Sequence, residues 1–251
     1  MIPDLGRLRE LLDALTPAGR PARGAAEEDV RAAEAVVGAL PRSYRWWLRT
    51  YGPCRGTVLG AEVAVVAPPP HADTAESVTV PWRREEGGLL CFAAEPDGGD
   101  AFLFGGASPG GERAVLRRDP FDGGLYPYAE SFAGFVAVRA ALAAGLRDGP
   151  NPAVARLWRT TPGLALPDGV TVYGPHDIAE RNATYEVAAY APGWTLVGDD
   201  SGGAGLLMRH HGRDRSSVYL LGLGALGPGV AEDGTLLTGD LCAWLTAGAP
   251  R

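Results

Sequence analysis

The sequence has no lysine: all 23 basic side chains among its 251 residues are arginine. That absence removes a block of chemistry. No Schiff base can form with pyridoxal phosphate or a carbonyl substrate, and neither a P-loop lysine nor the strand lysine of protein kinases is available. Cysteine is scarce as well. Cys54, Cys91 and Cys242 are far apart and odd in number, with no C-x-x-C pair, so buried thiols are expected rather than a disulfide framework or a zinc site. The four histidines, His71, His176, His210 and His211, form neither a His-x-x-x-His nor a His-Glu pattern. The adjacent pair, placed on a strand, should point to opposite faces, so no metal site is expected. No G-x-S-x-G serine motif occurs.

A surplus of positive charge is also missing. The net charge is −7, with 16 arginines against 20 acids in residues 1–150 and 7 against 10 in 151–251. With no basic face to track phosphates, direct nucleic-acid binding is disfavoured, and a basic protein partner is better matched. No apolar run approaches the ~18 residues of a membrane span. The opening "MIPDLGRLRELLDAL" carries acids where a signal peptide needs a continuous apolar core. A cytoplasmic location is expected.

One string looks like a cofactor signature. In "VYLLGLGALGPGV", Gly222, Gly224 and Gly227 fit G-x-G-x-x-G after an apolar strand. A dinucleotide loop needs a helix to start at once, so that its N-terminal N–H groups meet the pyrophosphate. Here Pro228-Gly229 follows, then "VAEDGTLLTG" without a helical stripe, and only Asp240 as a distant acid. The glycines are read as a turn, and no cofactor is expected.

What the chain does contain is helical and strand periodicity. Leu5, Leu8, Leu12 and Leu15 predict a helix capped by Asp4. Val30, Ala33, Val37 and Leu40 predict a second, with Glu27 and Glu28 at its start. Pro41 opens a third, with Tyr44, Trp47, Leu48 and Tyr51 at i, i+3, i+4 and i+7 and Gly52-Pro53 at its end. "TVLGAEVAVVA", "GLLCFAA", "DAFLFGG" and "RAVLRRD" read as antiparallel strands, with a loop or short irregular helix at 68–88, and Ser131 caps a helix bearing Phe132, Phe135 and Val136. "GLRDGPNP" (145–152) reads as a linker between units 1–148 and 149–251. In the second half "TVYGPHDI", a helix through "DIAERNATYEVAAYA", "TLVGDDSGGAGLLMR", "SSVYLLGLG" and "TGDLCAWLTAG" echo the earlier order at offsets of about 104 to 114 residues, which predicts a duplicated α+β layout.

The stretch "EEDVRAAEAVVGALPRSYRWWLRTYG" resembles the opening of SUKH-superfamily domains, the Smi/Knr-type group. The matching positions are Glu27, Glu34, Leu40, Pro41, Tyr44, Trp47, Leu48 and Gly52. The Gly99-Asp100 turn and the closing helix with Ser131, Phe132 and Phe135 resemble that family too. In the second half "VYGPHDIAERN", "YAPGWTLVGDDSGG" and "GDLCAWL" are similar to its middle and end. The resemblance covers residues 25–140 and 155–247. It departs at "YGPCRG" and in the second copy, which has no evident aromatic helix pair before Tyr173 and reads as incomplete. It implies an α+β domain, an antiparallel sheet flanked by helices, that works by binding. Bacterial members look like immunity proteins against secreted toxins, often nucleases; fungal members are regulators and scaffolds.

The expected function is therefore non-enzymatic binding of a protein, foremost a basic toxin domain whose active site is occluded. A scaffold for a cellular protein is the alternative, and a cofactor-dependent enzyme the remote one. Candidate contact residues are Trp46 and Trp82, aromatics that can lie in a contact surface, and the acidic turns of Asp97, Asp100, Asp199 and Asp200, which can steer a basic partner. Asp199-Asp200 and the Glu95, Asp97, Asp100 group could also pair for acid–base work, but acidic turns beside Gly-Gly are more often solvated hairpin connections.

Overall fold

A computed structural model describes residues 1–15, 24–52, 57–64, 82–146 and 150–249. Cys54, His71, most of the loop expected at 68–88 and the centre of the expected linker lie outside the described residues. The fold class is α+β. Contacts divide the chain into an N-terminal unit, residues 17–136 with Ile2, and a C-terminal unit, residues 137–251 with Met1 and 3–16. The sequence reading places the boundary near residue 148; the contacts place it within a helix and group the first helix with the C-terminal unit.

Helix α1 (Leu5–Ala14) starts at Asp4, whose carboxylate accepts from Gly6 N and Arg7 N. It buries Leu8, Leu11 and Leu12 beside Arg7, while Leu15, expected on the apolar face, is exposed.

In the N-terminal unit, α2 (Glu27–Val37) has three acids in its first turn, where the helix dipole favours them. Helix α3 (Arg42–Thr50) follows Pro41. The aromatic stripe lies where its spacing puts it: Tyr44, Trp47, Leu48 and Tyr51 are all buried. The strands are β1 (Thr57–Val58), β2 (Ala61–Val63), β3 (Arg83–Arg84), β4 (Leu90–Ala94), β5 (Ala101–Ser108), β6 (Glu112–Arg118) and β7 (Leu125–Ala129), followed by α4 (Phe132–Ala143). They form one antiparallel sheet in the order β1-β2-β4-β5-β6-β7, with β3 also pairing with β4. The sequence reading missed β3 and β7. Strand β7 contains Pro127, which a central strand would reject, and it is tolerated because β7 is an edge.

The core of this unit is aromatic. Phe92 and Phe104 stack at 3.9 Å, and the Tyr44 ring meets Trp47, Phe92, Phe104 and Phe132 at centroid distances of 5.0 to 5.8 Å. The Tyr44 hydroxyl donates to Ala64 O and accepts from Trp82 Nε1 at 2.8 Å. Ser131 caps α4 as expected, accepting from Gly134 N at 2.9 Å.

A buried carboxylate ties the layers together. Glu112 is 2% exposed; its oxygens accept from Ser43 N and Ser43 Oγ, each at 2.8 Å, and that Oγ accepts from Ala133 N at 3.2 Å. One side chain thus caps α3 from the sheet, and its serine partner reaches the first turn of α4. Burial raises the Glu112 pKa, against the pull of the Ser43 donors and Arg42. The unfolded chain releases this proton first, so wild-type stability falls as pH rises from about 4.3 through the folded value. Glu112→Gln is expected to flatten that fall in urea titrations between pH 4 and 7. Parallel pH profiles for the two proteins would refute it.

The C-terminal unit contains α5 (Pro152–Trp158), β8 (Leu164–Ala165), β9 (Thr171–Val172), α6 (Ile178–Thr184), α7 (Val187–Tyr190), β10 (Trp194–Asp199), β11 (Ala204–Arg209), β12 (Val218–Gly222), α8 (Val230–Asp233), β13 (Thr235–Thr238) and α9 (Leu241–Thr246). Its six strands are antiparallel neighbours in sequence order. The helix expected through 177–191 is two helices, broken at Glu186 with φ 48°. Gly198 is required by register: it lies at the bulge of β10 against β11 and pairs with β9 on its other side, where a Cβ would lie 2.3 Å from Thr171 O. Apart from β3, which only the first sheet has, both sheets run in one order, two short strands and then four, and each is followed by a helix. That is a likeness of topology and does not establish a duplicated sequence.

The sequence reading misses helix α5, because it assigns Asn151 and Pro152 to the linker. Asn151 caps it, accepting from Ala153 N at 2.8 Å, with Pro152 in the first turn. The Asn151 amide also donates to Arg209 O and Arg215 O at 2.7 and 2.8 Å, which fixes the helix start to the end of β11. Trp158 is fully buried, with Nε1 donating to Tyr173 O at 3.0 Å. A helix with a buried aromatic therefore does precede Tyr173, and α1 joins the same unit.

Candidate functional site

The outer face of α3 carries the most distinctive surface feature. Arg42, Arg45, Trp46 and Arg49 repeat at i, i+3, i+4 and i+7, the spacing of the core stripe displaced around the helix. With Leu40 below and Gly111 at the rim, they line an open groove of about 510 Å³. Gly111 belongs to the β5–β6 connection and has φ 77°. Trp46 is half-buried, while its neighbour Trp47 is fully buried.

The groove is electrostatically uneven. Glu27 is shared by three guanidinia: Arg31 Nε at 2.9 Å, Arg45 Nη2 and Arg49 Nη1. Those partners, Arg45 first, hold its carboxyl below the usual range. Arg45 Nε also lies 3.4 Å from Glu34, whose Oε1 accepts from Leu40 N. Three arginines thus share two carboxylates. Arg42 is exposed and makes no ion pair among the described residues. It also sits in the first turn of α3, the end at which a helix dipole disfavours a cation.

The structure distributes the sequence candidates differently. Trp46 lies in this groove. Trp82 is half-buried and engaged with the Tyr44 hydroxyl, so it serves the core. Asp97 is exposed on a left-handed backbone at φ 59°, in the tip joining β4 to β5. Asp100 faces Arg117 Nη1 at 3.2 Å. In the C-terminal unit, Asp199 accepts from the Tyr173 hydroxyl and from Ser201 N. Burial, then Asp199, pushes the Tyr173 phenol above its ordinary range. Asp200 Oδ1 accepts from Gly202 N and Ala204 N at 2.8 and 2.9 Å, closing the β10–β11 turn. Three of the four aspartates therefore hold local structure. Arg42, Arg45 and Arg49 were missed, although their periodicity was legible.

The histidine pair and the glycine-rich string also have a defined local geometry. His210 and His211 lie past the end of β11, in a bend, with ring centroids 4.2 Å apart. The opposite-face argument therefore does not apply to them. Among the described residues, no group of three or more His, Cys, Asp or Glu is placed to hold a metal ion. After β12 the chain makes a single tight turn, Leu223–Ala225, then four-residue α8 and strand β13. "VAEDGTLLTG" is thus a short helix and a strand, and a Cβ at Gly222 or Gly224 would meet nothing within 4 Å. Cys91 and Cys242 are buried free thiols. No described helix is long and apolar enough to cross a membrane.

No family model matches the chain, and no curated protein matches it.

Proposed function

We propose that this chain is a non-catalytic protein-binding module of the cytoplasm, an immunity protein that covers the active site of a toxin domain. The observation that carries the binding reading is the α3 groove: a half-buried tryptophan among arginines, mounted on a helix whose other face is locked into an aromatic core. Tryptophan and arginine are the side chains enriched at binding hot spots, and a site on a packed helix loses little conformational freedom when a partner docks. The toxin reading rests on the SUKH resemblance. Its matching residues Tyr44, Trp47, Leu48, Phe132 and Phe135 are buried in the first unit, so what they specify is the scaffold. The net charge of −7 favours a basic toxin domain at long range.

The test is reconstitution. The protein that co-purifies with the tagged chain from its native host is identified, expressed alone, and assayed with and without the purified chain. Stoichiometric loss of that protein's activity is expected. Full activity in the presence of excess chain would overturn the immunity reading.

A further inference from the structure

We infer that the α3 groove is a receptor for a short acidic segment, in which a carboxylate side chain meets Arg42 and Arg49 while an adjoining apolar residue packs on Trp46. This rests on the protein-binding reading and names the chemistry of one contact.

Three observations point the same way. The guanidinia outnumber the carboxylates around the groove, since Glu27 is divided among Arg31, Arg45 and Arg49. Exposed Arg42 makes no ion pair among the described residues and stands at the unfavourable end of its helix. Arg42 acts electrostatically on Glu112, but that carboxylate is buried and already holds Ser43. Arginine is also the side chain whose planar fork matches a carboxylate in two parallel hydrogen bonds. The floor is apolar, with Leu40 6% exposed, so the groove takes an acid next to a hydrophobic residue and not a bare anion.

A single-stranded nucleic acid would use the same residue types, stacking a base on Trp46. It fits less well. A backbone needs cations along its whole track, whereas the arginines of this groove span one helix face, enough for one carboxylate and its neighbour.

The experiment is fluorescence anisotropy with three labelled probes: a peptide with a phenylalanine between glutamates, its glutamine counterpart, and a thymidine oligonucleotide of equal length. The acidic peptide is expected to saturate the full chain, and the glutamine peptide to bind about tenfold or more weakly. Arg42→Gln and Trp46→Ala should each weaken the acidic peptide by about tenfold; Arg42 is exposed, so that variant should keep its thermal unfolding, whereas half-buried Trp46, edge-on to Tyr51 at 5.8 Å, also contributes to stability. Equal binding of the two peptides, insensitivity to both substitutions, tighter binding of the oligonucleotide, or no saturation at millimolar peptide would each overturn the inference. The glutamine comparison needs no variant, so a misfolded mutant cannot obscure the answer. An identified partner that still binds the Arg42→Gln, Trp46→Ala double variant at full affinity would remove this inference and leave the protein-binding reading intact.

Discussion

Tyr44→Ala is expected to be the most damaging single substitution in the N-terminal unit, lowering stability by about 3–5 kcal/mol from the lost aromatic volume alone. The ring is 0% exposed and meets four other aromatics, from both the sheet and two helices. Its hydroxyl adds a polar component: removal leaves Ala64 O without its donor and Trp82 Nε1 without its acceptor. Tyr44→Phe isolates that part. It should cost about 1–3 kcal/mol, the penalty for stranding a buried polar group. Urea denaturation of the two variants separates the contributions. A Tyr44→Ala protein within about 1 kcal/mol of wild type would mean the aromatic cluster is not the core of this unit.

The second large effect concerns acid. His176 is 10% exposed at its side chain, and its Nδ1 is buried without a hydrogen-bond partner. Its Nε2 lies 3.1 Å from Asp177 Oδ1 without hydrogen-bond geometry. Asp177 is itself committed to Arg7, whose Nη2 pairs with Oδ2. Burial, then the Arg7 charge, lowers the His176 pKa to about 4. The unfolded imidazole takes its proton near 6.5 and the folded one refuses it until about 4. Stability therefore falls as pH drops between those values, by about 3 kcal/mol at pH 4. His176→Gln should remove that portion of the acid loss, read as the difference between urea midpoints at pH 7 and pH 4. An acid loss as large in His176→Gln as in wild type would contradict the assignment.

Much of the fold was legible because it follows from short-range periodicity. The α3 stripe, the Asp4 and Ser131 caps and the strands β4, β5, β6, β10, β11 and β12 all follow from local spacing and turn residues. The failures have physical reasons. Pro127 disguised β7, since sequence alone does not say which strand is an edge. Asn151-Pro152 is a good helix start, but the preceding "GLRDGP" drew both residues into a linker. The break at Glu186 has no glycine or proline to announce it. Neither does sequence reveal that α1 groups with residues 137–251, a contact set far apart along the chain.

The site was half legible for a different reason. The overall negative charge directed attention to the acidic turns, and charge balance is a whole-chain quantity. Hydrogen bonds are local, and they commit Asp199 and Asp200 to their own turn. The arginines of α3 shared the very period that identified the core, yet only the apolar half of that helix was read. Trp46 was the one candidate that the structure placed among them.

The proposed function requires that this chain act by presenting a folded surface, with no bond made or broken. Native mass spectrometry of the chain mixed with its identified partner tests this most directly. The predicted result is a complex whose mass is that of two unaltered chains and which dissociates to intact components. A partner recovered with an altered covalent mass, or no complex at all, would contradict it.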